Sequence, residues 1–182
     1  MQQAVKTPSG EHRLTLNEVL DWLVEDGMAD PAAIEQFRKE RRFYRGSHHP
    51  LVIVAEQKWK GLAAPHRPLS LDALAEWLAR RVELPYLRID PLKIDFSAVT
   101  EVMSSAYATR FRVLPVAVSA KEAVIATAEP YIREWERELA AILKLEVRRV
   151  IANPADIERY QVEFYNLAKS VKGANKSATG AS

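Results

Sequence analysis

The adjacent histidines His48 and His49 are the residues of this chain that most resemble a pair of metal ligands. A zinc site takes three or four ligands from histidine, cysteine and acidic side chains. The chain contains no cysteine, adjacent histidines point in different directions in most backbones, and no third ligand is evident. The sequence therefore predicts a loop that continues into Pro50, and no metal site.

Side chains for nucleophilic or acid–base chemistry are present without the partners that such chemistry needs. Ser70 and Ser119 have no neighbouring framework of histidine and aspartate, so they are interpreted as a helix cap and a turn residue. The acidic residues of segment 133–138 alternate with arginines, which favours a solvated helix face with local ion pairs. No catalytic residue is predicted.

A phosphate-binding loop of the form G-x-x-x-x-G-K-[ST] does not occur in the 182 residues. Without the backbone amides and the lysine of that loop, there is no reason to expect ATP hydrolysis by this sequence. We therefore predict that it is not an enzyme and uses no cofactor. The linker-like composition of the last fourteen residues predicts a fragment of a larger protein.

The segment Arg38–Arg45, with the sequence RKERRFYR, is the most basic stretch of the chain. It could be a solvated helix end, where positive charge suits the helix dipole, or it could bind an anion or a protein partner. A basic second helix after a turn is also a feature of helix-turn-helix proteins, so DNA binding is a further alternative. The acidic first helix and the net charge of +2 predict weak attraction to phosphates, so no nucleic acid partner is expected.

The composition is that of a folded protein, with 48% hydrophobic and 27% charged residues. No apolar run approaches the roughly 20 residues needed to cross a bilayer, and the first residues lack the apolar core of a secretion signal. We expect a cytoplasmic protein that meets a membrane only through a partner.

The first structured unit is predicted to be a helical subdomain at residues 14–60, after a loose arm at 1–13. Apolar residues spaced for one helix face follow Leu16, and Asp30 with Pro31 is typical of the start of a second helix. The apolar run Leu51–Ala55 is interpreted as a buried strand.

Residues 66–168 are predicted to form an α/β domain. A helix capped by Ser70 is followed by strands and helices in the order β-α-β-β-α-β-α. The first strand is predicted at Tyr86–Ile89, and the next helix starts after Asp95. A later helix is predicted to begin at Pro130 with Ile142 facing inward, and Glu129 takes the place of its cap, where glutamate caps weakly. The fold class is therefore α+β, with an N-terminal helical pair followed by a small mixed sheet that has helices packed on it. Residues 169–182 lack aromatic side chains and are predicted to be a flexible linker or tail.

The α/β region resembles the N-terminal domain of the ATPases of type II secretion and type IV pilus assembly. The pieces that carry this resemblance occur in the family's order, and they are LAEWLARRVELPYLRID (74–90), YATRFRVLPVAVS (107–119), VIATAEP (124–130) and LEVRRVIANPADIERYQVEFYN (145–166). The resemblance implies a non-catalytic interaction module that docks the C-terminal motor ATPase domain onto the cytoplasmic domain of an inner-membrane platform protein. The expected location is peripheral to that membrane.

Some members of this family carry two copies of a motif that binds cyclic di-GMP. Leu23–Gly27 fits its LV..G part, whereas Glu18–Leu20 stands where RLG is expected and Arg38 replaces its last leucine. Arg41 and Arg81 stand where the two glutamines would be, which makes them weak candidates for nucleotide contacts. The resemblance thus implies, as an alternative, a cyclic di-GMP sensor domain with a weakened site.

Overall fold

Helices dominate the first half of the chain. The computed structural model describes residues 10–41 and 48–179. The first four helices are α1 (Leu16–Glu25), α2 (Pro31–Glu40), α3 (Pro50–Glu56) and α4 (Leu71–Arg81). Thr15 and Glu18 form a reciprocal capping box at the start of α1, and Asp30 and Ser70 cap α2 and α4 with their side chains. These caps fix the helix starts where the sequence predicts them.

The run Leu51–Ala55 is helical, so its prediction as a strand is wrong. Pro50 occupies the first position of α3, and the side chain of His49 accepts the backbone N–H of Leu51. A short apolar run has no period that separates strand from helix, and here the proline and its capping residue decide for helix. Leu51 and Val54 are fully buried.

A three-stranded sheet forms the centre of the second half. Strands β1 (Val113–Val118), β2 (Glu122–Thr127) and β3 (Glu146–Ile151) lie in the order β1-β2-β3. The first pair is antiparallel and the second is parallel, so the sheet is mixed. The predicted strand at Tyr86–Ile89 is reduced to one bridge, in which Tyr86 pairs in parallel with Ile151. On its edge away from β2, strand β3 is therefore bridged through Ile151.

Four further helices cover this sheet. They are α5 (Phe96–Val99), α6 (Ser105–Phe111), α7 (Glu134–Leu143) and α8 (Pro154–Thr179). The continuous helix predicted after Asp95 is broken into α5 and α6, because Ser104 starts a new helix by accepting the N–H of Tyr107. The helix predicted at Pro130 begins at Glu134, and Ile142, predicted to face inward, is 68% exposed.

The core crosses the predicted boundary between the two units. Leu74 and Leu78 of α4 pack in one cluster with Leu20, Leu51 and also Ile151 at the end of β3. Residues 10–13 of the predicted arm are described and contact the rest of the fold, whereas residues 1–9 lie outside the described residues. In the predicted tail, 169–179 continue α8. The fold class α+β is confirmed, and the division into domains stays a prediction.

No helix within residues 10–41 and 48–179 combines the length and the apolar content that crossing a membrane requires.

Candidate functional site

A cleft of about 550 Å³ opens where five separate segments of the chain meet. These segments are the residues before α1, the start of α3, the end of α6, the end of β2 and the start of α8. The charged or titratable side chains that line it include Arg13, His48, Arg110, Arg112, Glu129 and Glu158. Positive charge therefore gathers at a concave surface between the helical and the sheet-containing parts.

Arg110 and Arg112 reach the cleft from the end of α6. Arg112 is the C-terminal cap of that helix in the left-handed conformation, with φ 52°, and its N–H donates to the carbonyls of the last turn. The guanidinium of Arg110 lies 4.9 Å from the ring centre of Phe111. Arg13 comes from the segment before α1. In the parts of the chain that the structure describes, none of these guanidinium groups has a carboxylate within ion-pair distance.

His49 lies buried at the base of the cleft and has a structural role. Its Nε2–H donates to the carbonyl of Ala128 at 2.7 Å, and its Nδ1 accepts the N–H of Leu51 at 3.1 Å. Burial lowers the pKa of His49 to about 4, so the ring is neutral at physiological pH. Because both ring nitrogens are engaged, His49 cannot ligate a metal here, and within the described residues no group of potential ligands could hold one.

Glu129 is the titratable residue of the cleft that the sequence did not reveal. Its side chain is buried, and burial raises its pKa to about 7. Its Oε2 accepts the N–H of Leu14 at 2.8 Å, while Oε1 lies 3.7 Å from Nε2 of His49. Sequence reasoning took Glu129 for a weak helix cap before Pro130. The local signal was an acidic residue two positions after the apolar strand β2.

The N-terminus of α8 also lines the cleft, through Pro154 and Ala155. The side-chain oxygen of Asn153 accepts the N–H of Ala155 at 2.9 Å and that of Asp156 at 3.4 Å. The next amide, of Ile157, donates to the backbone carbonyl of Asn153. The first turn therefore offers its dipole to the cleft but no free N–H group.

Arg81, one of the two candidate nucleotide contacts, is engaged inside the helical layer. Its guanidinium donates to Glu25 at 2.6 Å and to Asp26 at 2.7 Å. It also lies 4.8 Å from the ring centre of Trp22. A nucleotide phosphate at Arg81 would have to compete with two carboxylates.

Arg41, the other candidate, caps the C-terminus of α2, and its guanidinium lies 6.0 Å from the ring centre of Phe37. Neither Arg41 nor Arg81 lines the cleft. In the basic segment, Arg38 pairs with Asp21 and Asn17, whereas positions 42–45 lie outside the described residues. The two nucleotide-contact candidates predicted from the sequence, Arg41 and Arg81, therefore lie outside the cleft.

Comparison with known proteins shows which family and which solved structures this chain is similar to. Residues 82–171 match the MshEN domain family. The type IV pilus assembly ATPase TfpB of Acinetobacter baylyi is 34% identical over 132 residues, which is 72% of this chain and 22% of TfpB. The solved structure of MshE with cdg is similar with a TM-score of 0.53 at 22% identity, covering 84% of this chain and 100% of the other, which supports the fold. The N-terminal domain of XpsE matches with a TM-score of 0.48 at 13% identity, over 85% and 98%.

The family match and the relative TfpB identify an α/β domain of the kind found in a type IV pilus assembly ATPase. Residues 82–171 are an MshEN domain, and the chain is homologous to the pilus ATPase TfpB. The predicted family is therefore confirmed. The chain spans only 22% of the length of TfpB.

Proposed function

We propose that this chain is the non-catalytic N-terminal module of a type II secretion or type IV pilus ATPase, and that it docks the motor onto the cytoplasmic domain of an inner-membrane platform protein. The observation that carries the proposal is the MshEN domain at 82–171 in a chain homologous to a pilus assembly ATPase. Because these 182 residues contain no phosphate-binding loop, ATP hydrolysis would belong to a separate C-terminal motor domain.

Docking requires exposed apolar side chains, and the three most exposed large ones in the described residues lie in the second half of the chain. Leu92 in the turn Pro91–Lys93 is 94% exposed, Ile142 near the end of α7 is 68% exposed and Val162 in α8 is 59% exposed. The apolar run Leu51–Ala55 is less suited to docking, because Leu51, Ile53 and Val54 are buried in the core. Leu92 is the most exposed of these side chains and is the first position to test.

A binding measurement between the chain and the partner's cytoplasmic domain tests docking. We expect association by calorimetry, and a weaker complex for Leu92→Ser, because apolar anchors contribute much of the energy of an interface. Lys93→Ser is the matched control, since its side chain is 83% exposed in the same turn. No association with the platform domain, either for the chain or for the complete ATPase, would overturn the proposal.

Binding of cyclic di-GMP is the second candidate function. MshE, which shares the fold, has been solved with cdg, and Arg41 and Arg81 stand at the motif positions named above. The ion pairs of Arg81 with Glu25 and Asp26 weigh against this candidate. Calorimetry decides it, because the absence of heat at high micromolar dinucleotide would eliminate a sensor role.

A further inference from the structure

We propose that the cleft between α6 and α8 is a binding site for a small phosphate-bearing molecule, held by Arg13, Arg110 and Arg112. This inference goes beyond docking, and it uses none of the residues of the dinucleotide motif. It rests on three observations, which are the guanidinium groups without ion pairs in the described parts of the chain, the charge balance of the cleft and its size.

In the described parts of the chain the arginines of the cleft lack ion pairs, in contrast to Arg81 and Arg149. Arg81 binds two carboxylates, and Arg149 donates to the carbonyl of Pro130 at 2.7 Å and lies 3.4 Å from Glu136. Arg13 and Arg112 have no such contact in the described parts of the chain. A guanidinium presents several N–H donors in a planar fork that matches phosphate oxygens. These donors remain available to a ligand.

The balance of charge at the cleft favours an anion. Two carboxylates, Glu129 and Glu158, oppose the three guanidinium groups. Glu129 is half protonated near neutral pH, because burial raises its pKa to about 7. The dipole of the 26-residue helix α8 adds positive potential at its N-terminus. The cleft therefore carries net positive charge at pH 7 and below.

The size of the cleft points to a small molecule. Its volume of about 550 Å³ falls within the range of roughly 300–1,000 Å³ that ligand pockets occupy. A metal ion is not a fitting occupant, because arginine is not a ligand and the ring nitrogens of His49 are engaged. Phosphate oxygens match the available donors, and an acidic peptide is an alternative that the experiment can separate.

Occupation of this site would link distant segments. Arg13 belongs to the segment before α1, whereas Arg110 and Arg112 belong to α6 and its cap. That segment is already held to the end of β2 by the bond from Leu14 to Glu129. A phosphate that bridges Arg13 and Arg112 would add a second link, so binding should stabilise the folded state by mass action.

The test is calorimetry and thermal unfolding of the whole chain with pyrophosphate, cyclic di-GMP and a glutamate-rich peptide as separate probes. We expect pyrophosphate to bind and to raise the melting temperature. Binding of cyclic di-GMP that is lost in Arg112→Gly would identify a dinucleotide as the source of the phosphate. Tighter binding of the peptide than of either phosphate probe would overturn the proposal.

Arg112→Gly is the informative variant, because glycine adopts the left-handed φ of 52° without strain and the helix cap is kept. We expect roughly ten-fold weaker pyrophosphate binding, since charge-assisted hydrogen bonds are lost. Arg13→Gln should weaken binding similarly. Arg67→Gln, which removes one exposed charge away from the cleft, should leave affinity unchanged. Equal affinity in all variants, or equal loss in the Arg67 control, would contradict the proposal.

Discussion

The carboxylate of Glu129 accepts the backbone N–H of Leu14 across 115 positions of sequence, at 2.8 Å. This bond holds the segment before α1 against the end of β2. Both residues are buried, with 3% of Glu129 and 5% of Leu14 exposed. A carboxylate in such a position is costly when charged, since burial removes its hydration and a single backbone donor replaces only part of it.

Stability should therefore depend on pH through Glu129. Its pKa is about 7 in the folded state, against 4.5 for an unperturbed glutamate. Because the folded pKa is the higher one, its stabilising contribution is complete below about pH 4.5 and is lost as pH rises through 7. Glu129→Gln keeps an oxygen that can accept the N–H of Leu14 and removes the charge. We expect it to raise the free energy of unfolding at pH 8 by on the order of 3 kcal/mol, and far less at pH 5.

Urea unfolding of both proteins at pH 5 and pH 8 measures this difference. Glu158→Gln is the matched control, because Glu158 lines the same cleft but is exposed. The control should change the unfolding free energy little at either pH. A Glu129→Gln protein with the same pH dependence as the wild type would show that Glu129 is not the responsible group.

Affinity of the cleft for pyrophosphate should fall as pH rises. Deprotonated Glu129 places a negative charge beside the guanidinium groups, which weakens the attraction of a phosphate. The other charged or titratable groups that line the cleft or lie near Glu129 are His12, Arg13, His48, His49, Arg110, Arg112 and Glu158. We expect tighter binding by calorimetry at pH 6 than at pH 8 in the wild type. In Glu129→Gln the difference between the affinities at pH 6 and pH 8 should be smaller. An unchanged difference would mean that another group of the protein, or pyrophosphate itself, causes the pH dependence.

The sequence predicted those parts of the fold that depend on local signals. Ser70 was identified as a helix cap, and α4 begins at Leu71. Leu51–Ala55 was missed as a helix because five apolar residues have no distinguishing period. Glu129 was missed for another reason, since its burial depends on Leu14 and His49, which are far away in sequence. The cleft is built from five segments that are separate in sequence, so no local pattern contains it.

Asp26 ties α1 to α4 and should be sensitive to substitution. Its carboxylate accepts from Nε1 of Trp77 at 2.8 Å and from Arg81 at 2.7 Å. Asp26→Ala leaves the indole N–H of the buried Trp77 without its acceptor, so we expect a loss of about 1–3 kcal/mol in chemical unfolding. Asp21→Ala is the control on the same helix, because its ion pair with Arg38 is exposed and should contribute less than about 1 kcal/mol. Equal losses of unfolding free energy in Asp26→Ala and Asp21→Ala would show that the contacts of Asp26 contribute no more than the exposed ion pair.

Gln161 on α8 positions the connection that carries Arg112. Its buried Nε2 donates to the carbonyl of Ala108 at 2.9 Å and to that of Val113 at 2.7 Å, one on each side of the α6 cap. Gln161→Leu keeps much of the volume but leaves both carbonyls without this donor, so we expect a loss of about 2–3 kcal/mol of unfolding free energy.

The same substitution should weaken pyrophosphate binding, because the guanidinium of Arg112 is placed by the turn that Gln161 holds. Val162→Ala is the control, because the side chain of Val162, next to Gln161 in sequence, is 59% exposed and has no hydrogen-bonding group. Affinity should be measured at a temperature where Gln161→Leu is fully folded, as judged by circular dichroism. A loss of stability with unchanged pyrophosphate affinity would mean that Gln161 supports the fold without positioning Arg112. A loss of both would show that this side chain of α8 positions the binding site.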